Sequence, residues 1–314
     1  MTEDTTVIDA ATWAFIRATE ASYPSDTSGF TMAQHRAAYD AMCARFDHGR
    51  PSGLHVTDQP IAGVPCRTYH AGPVQLVYFH GGGFYVGGLH SHDSICADLA
   101  SRTGLAVTAV DYRLSPEHPH PAAYDDALAV TRVLAAEGPF MLAGDSAGGN
   151  LAAAVCHGLR ALGIMPLGQV LLYPGLGGSV DQGSYLTHAH APMLTRADVI
   201  MAAGIRQSAA DDPTALPLTD PDFANLPPTI AIAAQCDPLA DDCAAYAAAI
   251  TAAGGRALAR TEPGLVHGYL RARHSVPRAA ASFNRICDAL TDLAQGIWPQ
   301  GAFNEPACQH DPLG

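Results

Sequence analysis

A serine hydroxyl attacks a carbonyl only when the chain also supplies a base, an acid that orients it, and donors for the developing oxyanion. The segment Gly144-Asp145-Ser146-Ala147-Gly148 lies between an apolar run at 139–143 and an Ala/Leu-rich stretch from Leu151. Gly-x-Ser-x-Gly between a strand and a helix is a nucleophile elbow. Its turn is so tight that the residues two before and two after the serine crowd each other, so both must lack side chains. Ser146 is then expected above the top of a sheet, beside the free N–H groups of a helix start.

The remaining groups fall in an order that suits this serine. His80-Gly81-Gly82-Gly83 directly follows an apolar run, and glycines there let backbone N–H groups approach a ligand. Gly82, Gly83 and Ala147 are the expected oxyanion donors. Asp237 ends the apolar run 229–234 and its tail Gln235-Cys236, where a catalytic acid belongs. Asp241 and Asp242 are its rivals, but they read as the first turn of the next helix. His267, in Val266-His267-Gly268-Tyr269, is the candidate base. His274 stands among Arg271 and Arg273, whose charge disfavours an imidazolium.

These residues need a scaffold, and the chain reads as one. Apolar runs at 74–79, 105–110, 139–143, 169–173, 229–234 and 257–260 predict strands. Helical stretches at 91–103, 121–137, 147–162 and about 276–297 alternate with them. Such alternation predicts an α/β fold with a mostly parallel central sheet covered on both faces, in one domain spanning 1–314. Two regions break the rhythm: 1–50, with amphipathic pieces at 11–18 and 32–46, and 176–215, with a helix-like 196–208. Both are expected to form a cap over the sheet edge where open α/β folds bind ligands. Residues 299–314 read as a loose tail.

Composition narrows the chemistry. Hydrophobic residues make up 48% and charged residues 15%, which describes a globular chain with a large core. All 17 basic residues are arginine, so a Schiff-base lysine, a pyridoxal site and a lysine-dependent phosphate loop are excluded. A net charge of −13 leaves no basic face for nucleic acid or for an anionic membrane surface. No apolar run is long enough to span a membrane, and the acidic N-terminus lacks the apolar core of a signal peptide. The eight cysteines show no CxxC pair, which suits reduced thiols in the cytoplasm. The spacing around His310 in the tail is wrong for zinc, and no metal is expected.

The segments HGGGFYVGG (80–88), DYRLSPEHPHPAAYDD (111–126), GDSAGGNLAA (144–153), DPLADD (237–242) and VHGY (266–269) together resemble the hormone-sensitive-lipase-like carboxylesterases, bacterial lipolytic family IV. The resemblance spans roughly 75 to 270. It implies an α/β-hydrolase fold, a Ser146–His267–Asp237 triad, an oxyanion hole at Gly82, Gly83 and Ala147, and a cap partly built from the N-terminus. It also implies hydrolysis of short-chain acyl esters with no metal or cofactor, and it is compatible with a homodimer through the sheet edge. Ala240 replaces a basic residue usual in the acid motif, and Tyr269 replaces a phenylalanine. Asp111–Pro121 reads as a brace for the loops below the site.

Tyr85, just after the oxyanion glycines, is the expected substrate contact. Phe30, Met32, Tyr185 and Met193, with Trp13 and Phe15, are weaker candidates, each of which could equally be ordinary packing. The same machinery serves amides, thioesters or acetylated metabolites, and a ligand receptor could keep the pocket without turnover.

Overall fold

A computed structural model describes residues 7–24, 27, 29–299 and 303. One eight-stranded sheet runs in the order β1-β2-β4-β3-β5-β6-β7-β8. The strands are β1 His55–Ile61, β2 Val64–His70, β3 Gln75–Phe79, β4 Ala106–Val110, β5 Phe140–Asp145, β6 Gln169–Leu172, β7 Thr229–Cys236 and β8 Ala257–Val266. From β4 to β8 all neighbours pair in parallel, and β2 joins β4 antiparallel. Between parallel strands run α3 Asp93–Thr103, α4 Ala122–Glu137, α5 Ala147–Ala161 and α8 Ala240–Ala252; α9 Pro277–Ala294 follows β8.

Alternation along each strand divides the core. Leu76, Tyr78, Met141, Ala143, Ile230 and Ile232 face a cluster completed by residues of α3 and α9. Val77, Phe79, Leu142, Ala231 and Ala233 face the cluster shared with α4, α5 and α8. With both faces covered, strand residues of either parity are buried, so these strands are continuously apolar. Each fully buried Val, Leu or Phe contributes about 1.5–3 kcal/mol. In α9 the buried Ala279, Phe283, Ile286, Leu290 and Leu293 recur at three- and four-residue spacing, and so define one apolar stripe.

Two departures from the sequence expectation have physical causes. The β1–β2 hairpin carries Pro60 and Pro65, which pair with each other, and its mostly exposed edge strand β1 shows no apolar run. Its turn, Ala62-Gly63, has φ of 51° and 82°, as a two-residue hairpin turn requires. β8 continues six residues past Arg260, through Pro263-Gly264. Gly264 takes φ of 67° and donates its N–H to Gln235 Oε1 at 2.8 Å, so a turn-like sequence is held in line by the neighbouring strand.

The remaining helices are α1 Ala10–Glu20, α2 Met32–Arg45, α6 Gly183–Thr187 and α7 Arg196–Arg206. Thr31 and Gln34 form a capping box on α2, and Thr195 and Asp198 form one on α7. Arg36 of α2 donates to the carbonyls of Tyr85 and Ser115 and pairs with Glu117, fastening that helix to the loop after β3. The expected tail at 299–314 lies outside the described residues except for Pro299 and Phe303. Among the described residues, no helix is long and apolar enough to cross a membrane.

Candidate active site

The elbow follows from sterics. A Cβ on Gly148 would lie 1.9 Å from the Phe79 carbonyl oxygen, and one on Gly144 2.4 Å from Gly148. Ser146, at the turn's apex, takes φ 55° and ψ −119°, a strained conformation for a residue with a side chain. Its N–H donates to Leu172 O at 2.8 Å, and its carbonyl accepts from Asn150 N at 3.1 Å. The strain is therefore held by β6 on one side and α5 on the other.

Three strand ends converge here. Ser146 follows β5, Asp237 follows β7 and His267 follows β8. His267 Nε2 lies 2.9 Å from Ser146 Oγ, and His267 Nδ1 lies 2.6 Å from Asp237 Oδ2. Asp237 is fully buried, and its Oδ1 accepts the Leu239 N–H at 2.9 Å. With Asp237 Oδ2 at Nδ1, Nε2 is the ring nitrogen that faces Ser146. Tyr173 packs edge-on against the His267 ring at 4.9 Å and helps fix its plane.

The rivals lie elsewhere. Asp241 accepts the Ser184 N–H, and Asp242 accepts from Leu176 N, Gly178 N and Tyr185 Oη. His274 pairs with Asp98 at 2.8 Å and stacks against His48.

The glycine loop turns back beside Ser146. Gly82 and Gly83 have φ of 130° and 59°. Gly82 O accepts from Tyr85 N and Val86 N, and the N–H groups of Gly82 and Gly83 keep no acceptor among the described residues. Below the loop, Tyr112 stacks on His80 at 4.3 Å and donates to the His80 carbonyl at 2.6 Å. Burial lowers the His80 pKa to about 3, so this ring is neutral and its Nδ1–H can donate to Gly81 O. Ser115 N donates to Phe84 O, so 111–121 supports the loop from beneath.

Ser146, His267, Gly82, Gly83 and Ala147 line a cavity of about 910 Å³. Tyr85, Tyr185 and Met193 line it too, whereas Phe30, Met32, Trp13 and Phe15 do not. Phe30 meets His35 edge-on, and His35 in turn meets Tyr85, so Phe30 stands one ring away from the cavity. Trp13 and Phe15 belong to the core, where Phe15 meets Phe46. Met32 occupies the half-buried first turn of α2. Sequence reading missed Tyr39, Tyr173, Asn150, Arg206 and Arg271 on the cavity wall. Their signal was weak: single polar residues whose partners are distant in the chain.

A serine, histidine and aspartate presented by successive ends of such a sheet define an α/β-hydrolase. A family model described as α/β hydrolase fold matches residues 76–271. Carboxylesterase NlhH of Mycobacterium tuberculosis is 38% identical over 247 residues, covering 72% of this chain and 77% of that protein. Ethyl acetate hydrolase of Pseudomonas putida is 33% identical over 230 residues, covering 68% and 72%. A solved esterase from the bacterial hormone-sensitive lipase family matches with TM-score 0.84 at 26% identity, over 90% of this chain and 98% of that one. An esterase of Pyrobaculum calidifontis matches with TM-score 0.82 at 29% identity, over 88% and 97%. The chain belongs to the α/β-hydrolase family, among the hormone-sensitive-lipase-like carboxylesterases, and is a carboxylic-ester hydrolase by class.

Proposed function

We propose that the protein is a serine carboxylesterase that hydrolyses short-chain acyl esters through an acyl-enzyme on Ser146. The hydrogen-bonded relay from Ser146 through His267 to buried Asp237, inside the cavity, carries this reading. The ester carbonyl oxygen points to the N–H groups of Gly82, Gly83 and Ala147. Each such donor contributes about 2.7–4 kcal/mol to the transition state. His267 takes the serine proton as Oγ attacks, and Asp237 stabilises the imidazolium. His267 then returns the proton to the leaving alcohol, and water releases the acid by the reverse route.

Pieces of α1, α2 and α7 contribute to the cavity wall, which supports their role as a cap. A compact cap of these short helices favours acetyl to hexanoyl esters over long triglycerides. Six buried cysteines that form no disulfide among the described residues, Cys43, Cys66, Cys96, Cys156, Cys243 and Cys287, support a reducing, cytoplasmic setting.

A p-nitrophenyl ester series tests the assignment. Activity should peak at or below hexanoyl, and Ser146→Ala should abolish it with the fold retained. A maximum at dodecanoyl or longer would contradict the short-chain preference. Near-parental activity of Ser146→Ala, or failure of a fluorophosphonate to label Ser146, would contradict the mechanism.

A further inference from the structure

Arg271 lies in the short 3-10 turn Tyr269–Ala272, four positions after His267, and is only 7% exposed on the wall of the catalytic cavity. A buried guanidinium ordinarily faces a carboxylate, because an unpaired buried charge costs several kcal/mol. The neighbouring buried Arg273 does so, with Asp98 at 2.7 Å. Arg271 does not. Its Nη2 donates to Tyr39 Oη at 2.6 Å and reaches Cys43 Sγ at 3.4 Å. Burial pushes the pKa of both the phenol and the thiol up, so both partners are neutral.

Its other two nitrogens differ from each other. Nε is sealed from solvent without a hydrogen-bond partner. Nη1 also makes no hydrogen bond among the described residues, yet it is not sealed. It lies on the side of Gly268, 3.7 Å from where a Cβ on that glycine would stand. The open donor of this cation therefore sits beside the backbone of the catalytic histidine.

A second buried arginine, Arg206, lines the same cavity. It stacks on Phe84 at 3.6 Å and donates to Ala215 O and Asn150 Oδ1, again with no carboxylate partner among the described residues. The acids on the cavity wall are otherwise engaged or peripheral. Asp145 is hydrogen-bonded to Tyr78, Gly81 and His92 and acts on Arg271 as a neighbouring charge without a direct ion pair, Asp198 caps α7, and Glu20 is exposed.

We propose that Arg271 makes this cavity selective for short esters ending in a carboxylate, such as hemiesters of dicarboxylic acids or acetylated hydroxy acids. The inference rests on the ester-hydrolase reading above. A substrate carboxylate supplies the direct ion pair that Arg271 lacks among the described residues and forms a charge-assisted hydrogen bond with Nη1. A neutral ester of the same length leaves that donor unmatched.

The test compares kcat/KM at pH 8 for two matched pairs: monomethyl adipate against methyl heptanoate, and 6-acetoxyhexanoate against hexyl acetate. The wild-type protein should favour the ionised member by about tenfold or more in at least one pair, chiefly through KM. Arg271→Gln should bring that ratio close to one, and Arg271→Lys should restore part of it. Equal or better use of the neutral member in both pairs overturns the inference, and that comparison needs no variant to fold. A ratio unmoved in a folded Arg271→Gln protein overturns it as well. Turnover of p-nitrophenyl acetate without charge preference overturns this inference alone, whereas no hydrolysis of any ester overturns the ester-hydrolase reading with it.

Discussion

Asp145 Oδ1 accepts the backbone N–H of Gly81 at 3.0 Å, so the residue before Ser146 also anchors the loop that carries Gly82 and Gly83. The same oxygen accepts from Tyr78 Oη at 2.8 Å, and Oδ2 faces His92 Nε2 at 3.3 Å. The contact is close: a Cβ on Gly81 would stand 2.5 Å from Asp145 Oδ2. Burial opposes this charge, but His92, the Arg271 guanidinium and the Tyr78 hydroxyl hold the carboxyl below the usual carboxylate range. Serine and oxyanion loop are thereby positioned as one unit.

Asp145→Ala should therefore impair both stability and turnover. It leaves Gly81 N–H and Tyr78 Oη buried without their acceptor, at about 1–3 kcal/mol each. We expect denaturation midpoints to fall and kcat to drop by about ten- to a hundredfold as the donors lose their fixed aim. Asp145→Asn keeps an oxygen at the Oδ1 position and should recover most of both. Equal loss in the two variants would contradict the brace.

Replacing Asp237 probes the imidazole tautomer. In Asp237→Asn the amide oxygen takes the Leu239 N–H, which turns the NH₂ toward His267 Nδ1. Nδ1 must then accept, so the ring proton moves to Nε2 and faces Ser146 Oγ. The expected result is a fall in kcat on the order of 10²–10⁴ with KM little changed. Unaltered kcat in pre-steady-state acylation would contradict the assigned base.

The elbow glycines can be tested against a glycine elsewhere. Gly148→Ala drives a methyl into the Phe79 carbonyl oxygen, 1.9 Å away, and should cost soluble expression as well as activity. Gly254 also has positive φ, 84°, but nothing lies within 4 Å of its added Cβ. Gly254→Ala should cost only backbone strain, about 1–2 kcal/mol, with kcat unchanged. Thermal midpoints and kcat of the pair separate crowding from strain.

Asp242 predicts a pH-dependent stability. Burial pushes its carboxyl up to about 6, although Leu176 N, Gly178 N and Tyr185 Oη all donate to Oδ2. A folded pKa above the unfolded one gives stability that is complete below about pH 4 and lost as pH rises through about 6. Asn supplies the same oxygen without the titration. The stability of Asp242→Asn relative to wild type should therefore climb between pH 4 and 6, by up to about 3 kcal/mol. Urea midpoints across pH 4–8 measure this, and a constant difference would contradict it.

The elbow, the glycine loop and the order of serine, acid and base were legible in the sequence because each depends on local geometry. A tight turn demands glycines two residues either side of Ser146, and strands buried on both faces must be continuously apolar. The β1–β2 hairpin was not legible, because an exposed, proline-bearing edge needs no apolar pattern. The cavity wall was hidden for a related reason: Tyr39 and Arg271 meet across 232 positions. Phe30 and Trp13 carried the apolar character expected of a pocket, yet the fold placed one behind His35 and the other in the core. The chain alone thus carried the expectation that an acyl carbonyl meets Ser146, since the candidate reacting groups are written as short motifs. Only the tertiary structure decided which side chains line the cavity beside Ser146, because burial, and with it an arginine near His267 that makes no ion pair among the described residues, arises when distant segments pack together.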